Sequence, residues 1–390
     1  MGSEFNFRAD HVVQGKAYPA LAEWTAQPYT ASWREFGHHW PNTVPCELHE
    51  HCHTHGFPYS INVVGDYYTI GLGFFRFDID YFALVPKHVL ESSATVLFYY
   101  HEGDNPYTIK QRLDSLCAEH NLPTTCYQFI SGNTQADQIP GFHYFPDHEL
   151  LYWHRNQQVI PASINLAPRA YDFTLLSRTH KWWRATVVAD LHRHGLLAQS
   201  QWSYNTLSIN DREQDNPIEL DRISGLRQAV QDFMAAAPYT CDQLTADQHN
   251  DHHVTHSAHY TDSYCNIVLE THFDVDGSGG AFLTEKTFKP IKHAQPFVIA
   301  GAAGSLQALR DLGYRTFDHV IDNRYDLEPN NTRRWQLLLE TIQQISQQAG
   351  PVWFDRCLPD IQHNQQHFLA SKYNRLNSLY DKLLHQLATS

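Results

Sequence analysis

Apolar positions along the chain fall into short continuous runs separated by stretches of helical spacing. Ala94–Tyr100 (ATVLFYY) lacks polar alternation and so reads as a strand buried on both faces. Tyr107–His120 repeats its apolar residues at Ile109, Leu113 and Leu116-Cys117, which is a helical period. Thr125–Ile130 (TCYQFI) is then the next strand, stopped at Ser131-Gly132-Asn133. This β-α-β order is what one lobe of an α/β enzyme requires. A second series starts with a strand at Phe173–Leu176, a helix over Lys181–His194 and a strand-like piece at Ser200–Ser208. Tyr264–Glu270 reads as a strand, a Gly-rich loop follows, and Thr284-Glu285-Lys286 opens a helix. Pro296–Gly301 (PFVIAG) is a further buried strand, with another helix starting just after glycines. Arg333–Gln347 is amphipathic, with Leu337, Leu338, Ile342 and Ile345 on its apolar side, and Phe354–Leu387 is helical too.

The remaining segments punctuate this pattern. The first forty-odd residues have no clear periodicity and are expected to wrap the first domain, whereas Pro58–Gly73 contains strand-like material. Ile160–Arg169, with Pro161 and Pro168, is the expected domain boundary, and residues 240–262 are a His-rich loop. No internal repeat is present. The expected organisation is an α/β lobe over 1–165, a second over 166–350, and C-terminal helices over 351–390. The carboxylate of Glu270, the ammonium of Lys286 and free N–H groups at two helix starts should meet at one edge of a parallel sheet. Such edges bind nucleotides and phosphates.

Composition narrows the function class. The 390 residues, 42% hydrophobic and 13% aromatic, suffice for two cores and argue against disorder. The longest apolar runs fall far below the ~20 residues a membrane span needs. Met1–Phe5 reads as an expression-vector remnant rather than a secretory signal, so the expected location is the cytoplasm. A net charge of −14 disfavours extended nucleic-acid binding unless basic residues cluster. They do so modestly, at Arg178, His180, Lys181, Arg184, His192, Arg193 and His194, enough for a phosphate-sized anion. The 27 histidines leave room for a pH-dependent charge. Seven dispersed cysteines without a CxxC make a secreted disulfide framework a poor fit and read as small buried hydrophobes.

The order Val268-Leu269-Glu270, Phe282-Leu283-Thr284-Glu285-Lys286-Thr287 and Pro296–Gly301 resembles the donor-binding half of α1,3-type fucosyltransferases. It is more similar to fucosyltransferase-like proteins of viral and marine bacterial sequences, which share T-E-K-T-F-K-P-I and a tail here written Leu312–Phe317 and Ile321–Asp326. The match covers roughly a sixth of the chain. It implies two Rossmann-like lobes of the GT-B type with a C-terminal helix crossing back, and transfer of a sugar from a nucleotide-sugar donor. By resemblance Glu285 contacts donor sugar or ribose hydroxyls and Lys286 the phosphates, with Glu270 and Thr284 beside them. An Arg after the first strand of the donor lobe binds the diphosphate, and Arg178 fits that position better than Arg184. Taken alone, Thr284 is equally an N-cap and Glu285-Lys286 a pair of solvated helix charges.

An inverting displacement needs a base for the acceptor hydroxyl. The segment after the Ala94–Tyr100 strand offers Glu102 first, then Asp104 and His101, with Asp66 and Asp78 as outside candidates. The acceptor is expected to be a saccharide or a hydroxymethylated base of viral DNA, the latter opposed by the net charge. Two segments, Cys46–His55 and His249–His259, carry zinc-ligand types without a defined spacing. Asp274-x-Asp276 has the form of a divalent-metal DxD and equally that of a turn. The transferase reading is compatible with a divalent metal but does not require one. Two other classes fit the same residues: a nucleotide-sugar binder without turnover, and a metal-dependent hydrolase built on the His-rich segments.

Overall fold

The computed structural model describes residues 59–64, 67–72, 75–85, 90, 95–100, 102–149, 164–207, 215–241, 257–274, 279–348 and 350–389. The fold is of the α/β class, with a five-stranded and a four-stranded sheet among these residues. The chain divides into two compact units, one of residues 1–154, 277–279 and 370–390, the other of 155–276 and 280–369.

The first unit holds strands β1 (Tyr59–Val64), β2 (Tyr67–Leu72), β3 (Thr95–Tyr100), β4 (Tyr127–Ser131) and β5 (Phe142–Tyr144), in that spatial order. β1 and β2 form an antiparallel hairpin, and the other pairs are parallel. Strands added one after another in the same direction, by right-handed crossovers, put all their connections on one face. Helices α1 (Tyr81–Leu84) and α2 (Pro106–Glu119) belong to those connections, and Tyr81, Phe82, Ile109, Leu113 and Leu116 pack with Val96, Phe98, Tyr127 and Phe129. The opposite face presents Leu97, Tyr99 and Ile130, which need a cover of their own. The C-terminal helix supplies it through Leu379, Tyr380, Leu383 and Leu387. Each such leucine contributes about 1.5–3 kcal/mol on burial. Ser371 Oγ (2.7 Å) and Arg375 Nε (3.0 Å) donate to the buried Glu149 carboxylate, pinning the same helix segment.

In the second unit β6 (Tyr171–Thr179) leads through α3 (Trp182–Arg193) to β7 (Ser200–Leu207), then through α4 (Leu226–Ala236) and α5 (Ser257–Thr261) to β8 (Ser263–Leu269). α6 (Glu285–Lys292), β9 (Phe297–Ala300), α7 (Ser305–Asp311), α8 (Asn331–Ser346) and α9 (Gly350–Thr389) complete the chain. The all-parallel order is β7-β6-β8-β9, so the first strand of the unit lies inside the sheet. β8 and β9 are buried along their whole length, which explains the apolar run of β9 and the apolar end of β8; the buried Asn266 of β8 is satisfied by Gln295 (3.3 Å). Residues 350–369 of α9 belong to this unit and 370–389 to the other. Among the described residues no helix is long and apolar enough to cross a membrane.

Candidate functional site

The chain leaves β6 for β7 on one side and returns to β8 on the other. The carboxyl ends of β6 and β8 therefore flank a topological switch point, the position at which open α/β sheets leave a crevice for a ligand. Arg178 stands at the end of β6, where the register with β7 shifts, and His180 and Lys181 follow it. Glu270 and Thr271 follow β8.

Glu270 is fully buried, and the fold uses its carboxylate completely. Oε1 accepts from the Thr284 N–H (3.0 Å) and the Thr287 hydroxyl (2.6 Å). Oε2 accepts from the Thr284 hydroxyl (2.6 Å) and the Thr271 N–H (3.1 Å). Negative charge thus sits at the start of α6, where helix dipole and unpaired N–H groups favour it. Thr284 is the N-cap of α6, its hydroxyl accepting from the Lys286 N–H (3.4 Å). Gly301 admits this arrangement: a Cβ there would lie 3.0 Å from Ser305 Oγ and 3.3 Å from Glu270 Cβ.

Arg184 is buried in the first turn of α3. Its guanidinium donates to the Glu270 carbonyl (2.6 and 3.3 Å) and the Thr179 carbonyl (3.2 Å), tying the ends of β6 and β8 together. Arg334 on α8 does similar work, donating to the carbonyls of Gly301 (3.1 Å), Glu328 (2.9 Å) and Phe273. Burial lowers its guanidinium to about 10.

Two ammonium groups converge on Thr271. Lys181 Nζ donates to its carbonyl (2.9 Å) and Lys286 Nζ to its hydroxyl (3.3 Å). Lys286 also reaches the Thr284 hydroxyl (3.0 Å) and the Glu285 carboxylate (3.3 Å), and its side chain stays 29% exposed against 6% for Glu285. The residues the sequence picked out at this edge therefore separate into two groups. Glu270, Thr284 and Arg184 are bonded into the fold, whereas Arg178, Lys181 and Lys286 keep partial exposure.

The second helix start is closed. Asp326 accepts from the Leu306 N–H (2.9 Å) and Gln307 N–H (3.1 Å) of α7, so these groups are not open to a ligand as the sequence pattern suggests. Burial raises the Asp326 carboxyl. The Ile321–Asp326 tail thereby acts as a cap, and its Tyr325 hydroxyl accepts from the Ile299 N–H of β9 (3.2 Å).

In the first unit Glu102 and Asp104 follow β3 and are half-buried. Asp104 accepts from the Tyr100 hydroxyl (2.6 Å), whose proton is held by burial and by this carboxylate. Asn133 donates to the Gly103 carbonyl (2.9 Å), fixing the loop that carries Glu102. Asn105 caps α2 and sits where a Cβ on Gly279 would fall, 3.1 Å away. Asp78 is paired with the exposed Arg76. His101, Asp66, Asp276, the Cys46–His55 segment and residues 249–256 lie outside the described residues. Asp274 accepts from Asn331 (3.0 Å). Among the described residues no group of three or more His, Cys, Asp or Glu is arranged to hold a metal. A hollow of about 250 Å³ lies at the far end of α3, and its charges pair among themselves: Arg193 with Asp190 and Arg333 with Glu340.

Sequence reasoning did not single out Thr271, Arg334 or the capping role of Asp326. Thr271 had a signal, since it follows the strand-ending Glu270 directly; Arg334, in a surface-like helix pattern, had none. No protein-family model, curated protein or solved structure matches the chain.

Proposed function

We propose that the chain is a glycosyltransferase of the GT-B type, moving a sugar from a nucleotide-sugar donor to an acceptor hydroxyl with inversion. The observation that carries this reading is the convergence of Lys181 and Lys286 on Thr271 at the β6/β8 switch point. Departure of a nucleoside diphosphate builds negative charge that fixed cations stabilise. Arg178, Lys181 and Lys286 supply that charge, and Glu285 beside Lys286 accepts from sugar or ribose hydroxyls. Glu270, Thr284 and Arg184 act by positioning: they fix where α6 begins and hence where Lys286 points. The first unit contributes the acceptor-binding surface, for a saccharide or a hydroxymethylated DNA base, and Glu102 is the base. Asp104, already engaged by Tyr100, holds the loop.

The test is a thermal-shift series with GDP, UDP, CDP, ADP and their common sugars, with and without EDTA. A nucleotide-selective rise in midpoint is expected, growing with concentration and lost in Lys286→Ala. Glu102→Gln should keep that rise and lose turnover by roughly 10²–10⁴-fold. No shift with any nucleotide would remove the transferase reading.

A further inference from the structure

Cys117 and Cys126 are nine residues apart, and neither is used by the proposed transfer. Cys117 is in the last turn of α2 and Cys126 ends the 3-10 turn Thr124–Cys126 that leads into β4. Their sulfurs lie 3.7 Å apart, both buried. The contact is built by the local fold. Asn121, in the left-handed region at φ 54°, reverses the chain after the helix, and the Leu122 N–H donates back to the Cys117 carbonyl (2.8 Å). Pro123 then starts the turn, and the Cys126 N–H donates to its carbonyl (3.0 Å). These backbone bonds hold the two sulfurs beside each other.

We propose that Cys117 and Cys126 form a reversible redox pair, a disulfide that clips the end of α2 to the start of β4. A disulfide needs the sulfurs at about 2.05 Å, so they must close by less than 2 Å, within reach of side-chain rotation. The two thiols share one contact in which either sulfur can donate to the other. Cys126, 5% exposed against 1% for Cys117, is the first nucleophile. With a hydroperoxide, its thiolate attacks the peroxide oxygen and becomes a sulfenic acid as the alcohol, or water, leaves. Cys117 attacks that sulfur, the S–S bond forms and water departs. Two electrons and two protons pass from the thiols to the peroxide. Pro123, Thr124 and Thr125, directly before Cys126, are exposed.

The full chain would be treated with hydrogen peroxide or diamide, unfolded under N-ethylmaleimide, and its peptides weighed with and without dithiothreitol. A dithiothreitol-sensitive peptide joining Cys117 to Cys126, two hydrogens lighter than the reduced pair, is expected. The thermal midpoint should rise by roughly 5 °C and return on reduction. Cys126→Ser should lose both responses, and the wild-type peptide analysis stands even if that variant folds poorly. Both cysteines recovered as maleimide adducts after oxidation, or either joined to a different cysteine, would overturn the proposal.

Discussion

The two sheets differ in strand order, and that difference decides where each can hold chemistry. In the first unit the strands follow one another from β1 to β5, so its sheet has no switch point. Its connections share one face, and its stability comes from aromatic packing such as Phe98 on Phe129 and Phe129 on Phe142. In the second unit β7 and β8 lie on opposite sides of β6, and polar side chains crowd the strand ends there. A crevice at a switch point exposes backbone groups that must be satisfied. Buried Arg184, Glu270 and Arg334 do this work, which leaves the neighbouring lysines to face outward. Exposure therefore separates Glu270, Arg184 and Arg334, which shape this edge, from Lys181 and Lys286, which solvent reaches.

The sharpest way to break that distinction is to replace one residue of each kind. Glu270→Ala strips the acceptor from two N–H groups and two hydroxyls at the start of α6. A loss of about 4 kcal/mol in unfolding free energy is expected, read from denaturant midpoints. Lys286→Ala removes a partly exposed charge and should change stability by less than about 1 kcal/mol. Equal stability for the two variants would show that Glu270 does not organise this edge.

A buried histidine in each unit gives the next largest effect. His143 bonds Gln128 Oε1 (2.8 Å), and burial lowers it to about 4. His293 lies stacked on Tyr260 and is lowered to about 3 by burial and by the charges of Lys292 and Lys289. A folded-state pKa below the unfolded value means the unfolded chain takes up the proton first. Neither residue then affects the pH dependence of stability well above about 6.5, and each weakens the fold as pH falls towards its folded value. At pH 4.5 each accounts for roughly 2.5 kcal/mol, measured as the change between pH 7 and 4.5 in the gap between wild type and His143→Gln or His293→Gln. Added salt should relieve His293 more than His143, because only His293 is pushed down by two cations.

What the sequence disclosed follows the same division. Buried parallel strands are predominantly apolar runs, so β3, β4, β8 and β9 stand within two residues of their patterns, as do α2 and α3. Three-residue β5, with His143 at its centre, carries too little periodicity to be read. The hairpin of β1 and β2 was visible only as strand-like material. At the candidate site the identity of Glu270, Thr284 and Lys286 stood out, but not which of them would be consumed by the fold. A carboxylate near a helix start reads the same whether it meets a ligand or a threonine hydroxyl. Only the three-dimensional path of α6 places Thr284 and Thr287 against Glu270. Likewise the Asp326 cap joins residues some twenty positions apart, and local pattern does not reach that far.

The smallest effect concerns the two helix starts. α6 is held by a carboxylate within a web of threonines, whereas α7 relies on Asp326 alone for its Leu306 and Gln307 N–H groups. Asp326→Ala should cost about 1–2 kcal/mol, the range for a lost N-cap, and Asp326→Asn should recover part of it by accepting one bond. Removing the carboxylate also uncovers two N–H groups at the positive end of a helix. Sulfate should then stabilise the Ala variant more than the wild type, as a drop-in anion would. If the wild type gained as much from sulfate through this helix, the N–H groups of α7 would be open to anions in the native protein. The anion-accessible edge would then extend from the β6/β8 crevice to β9.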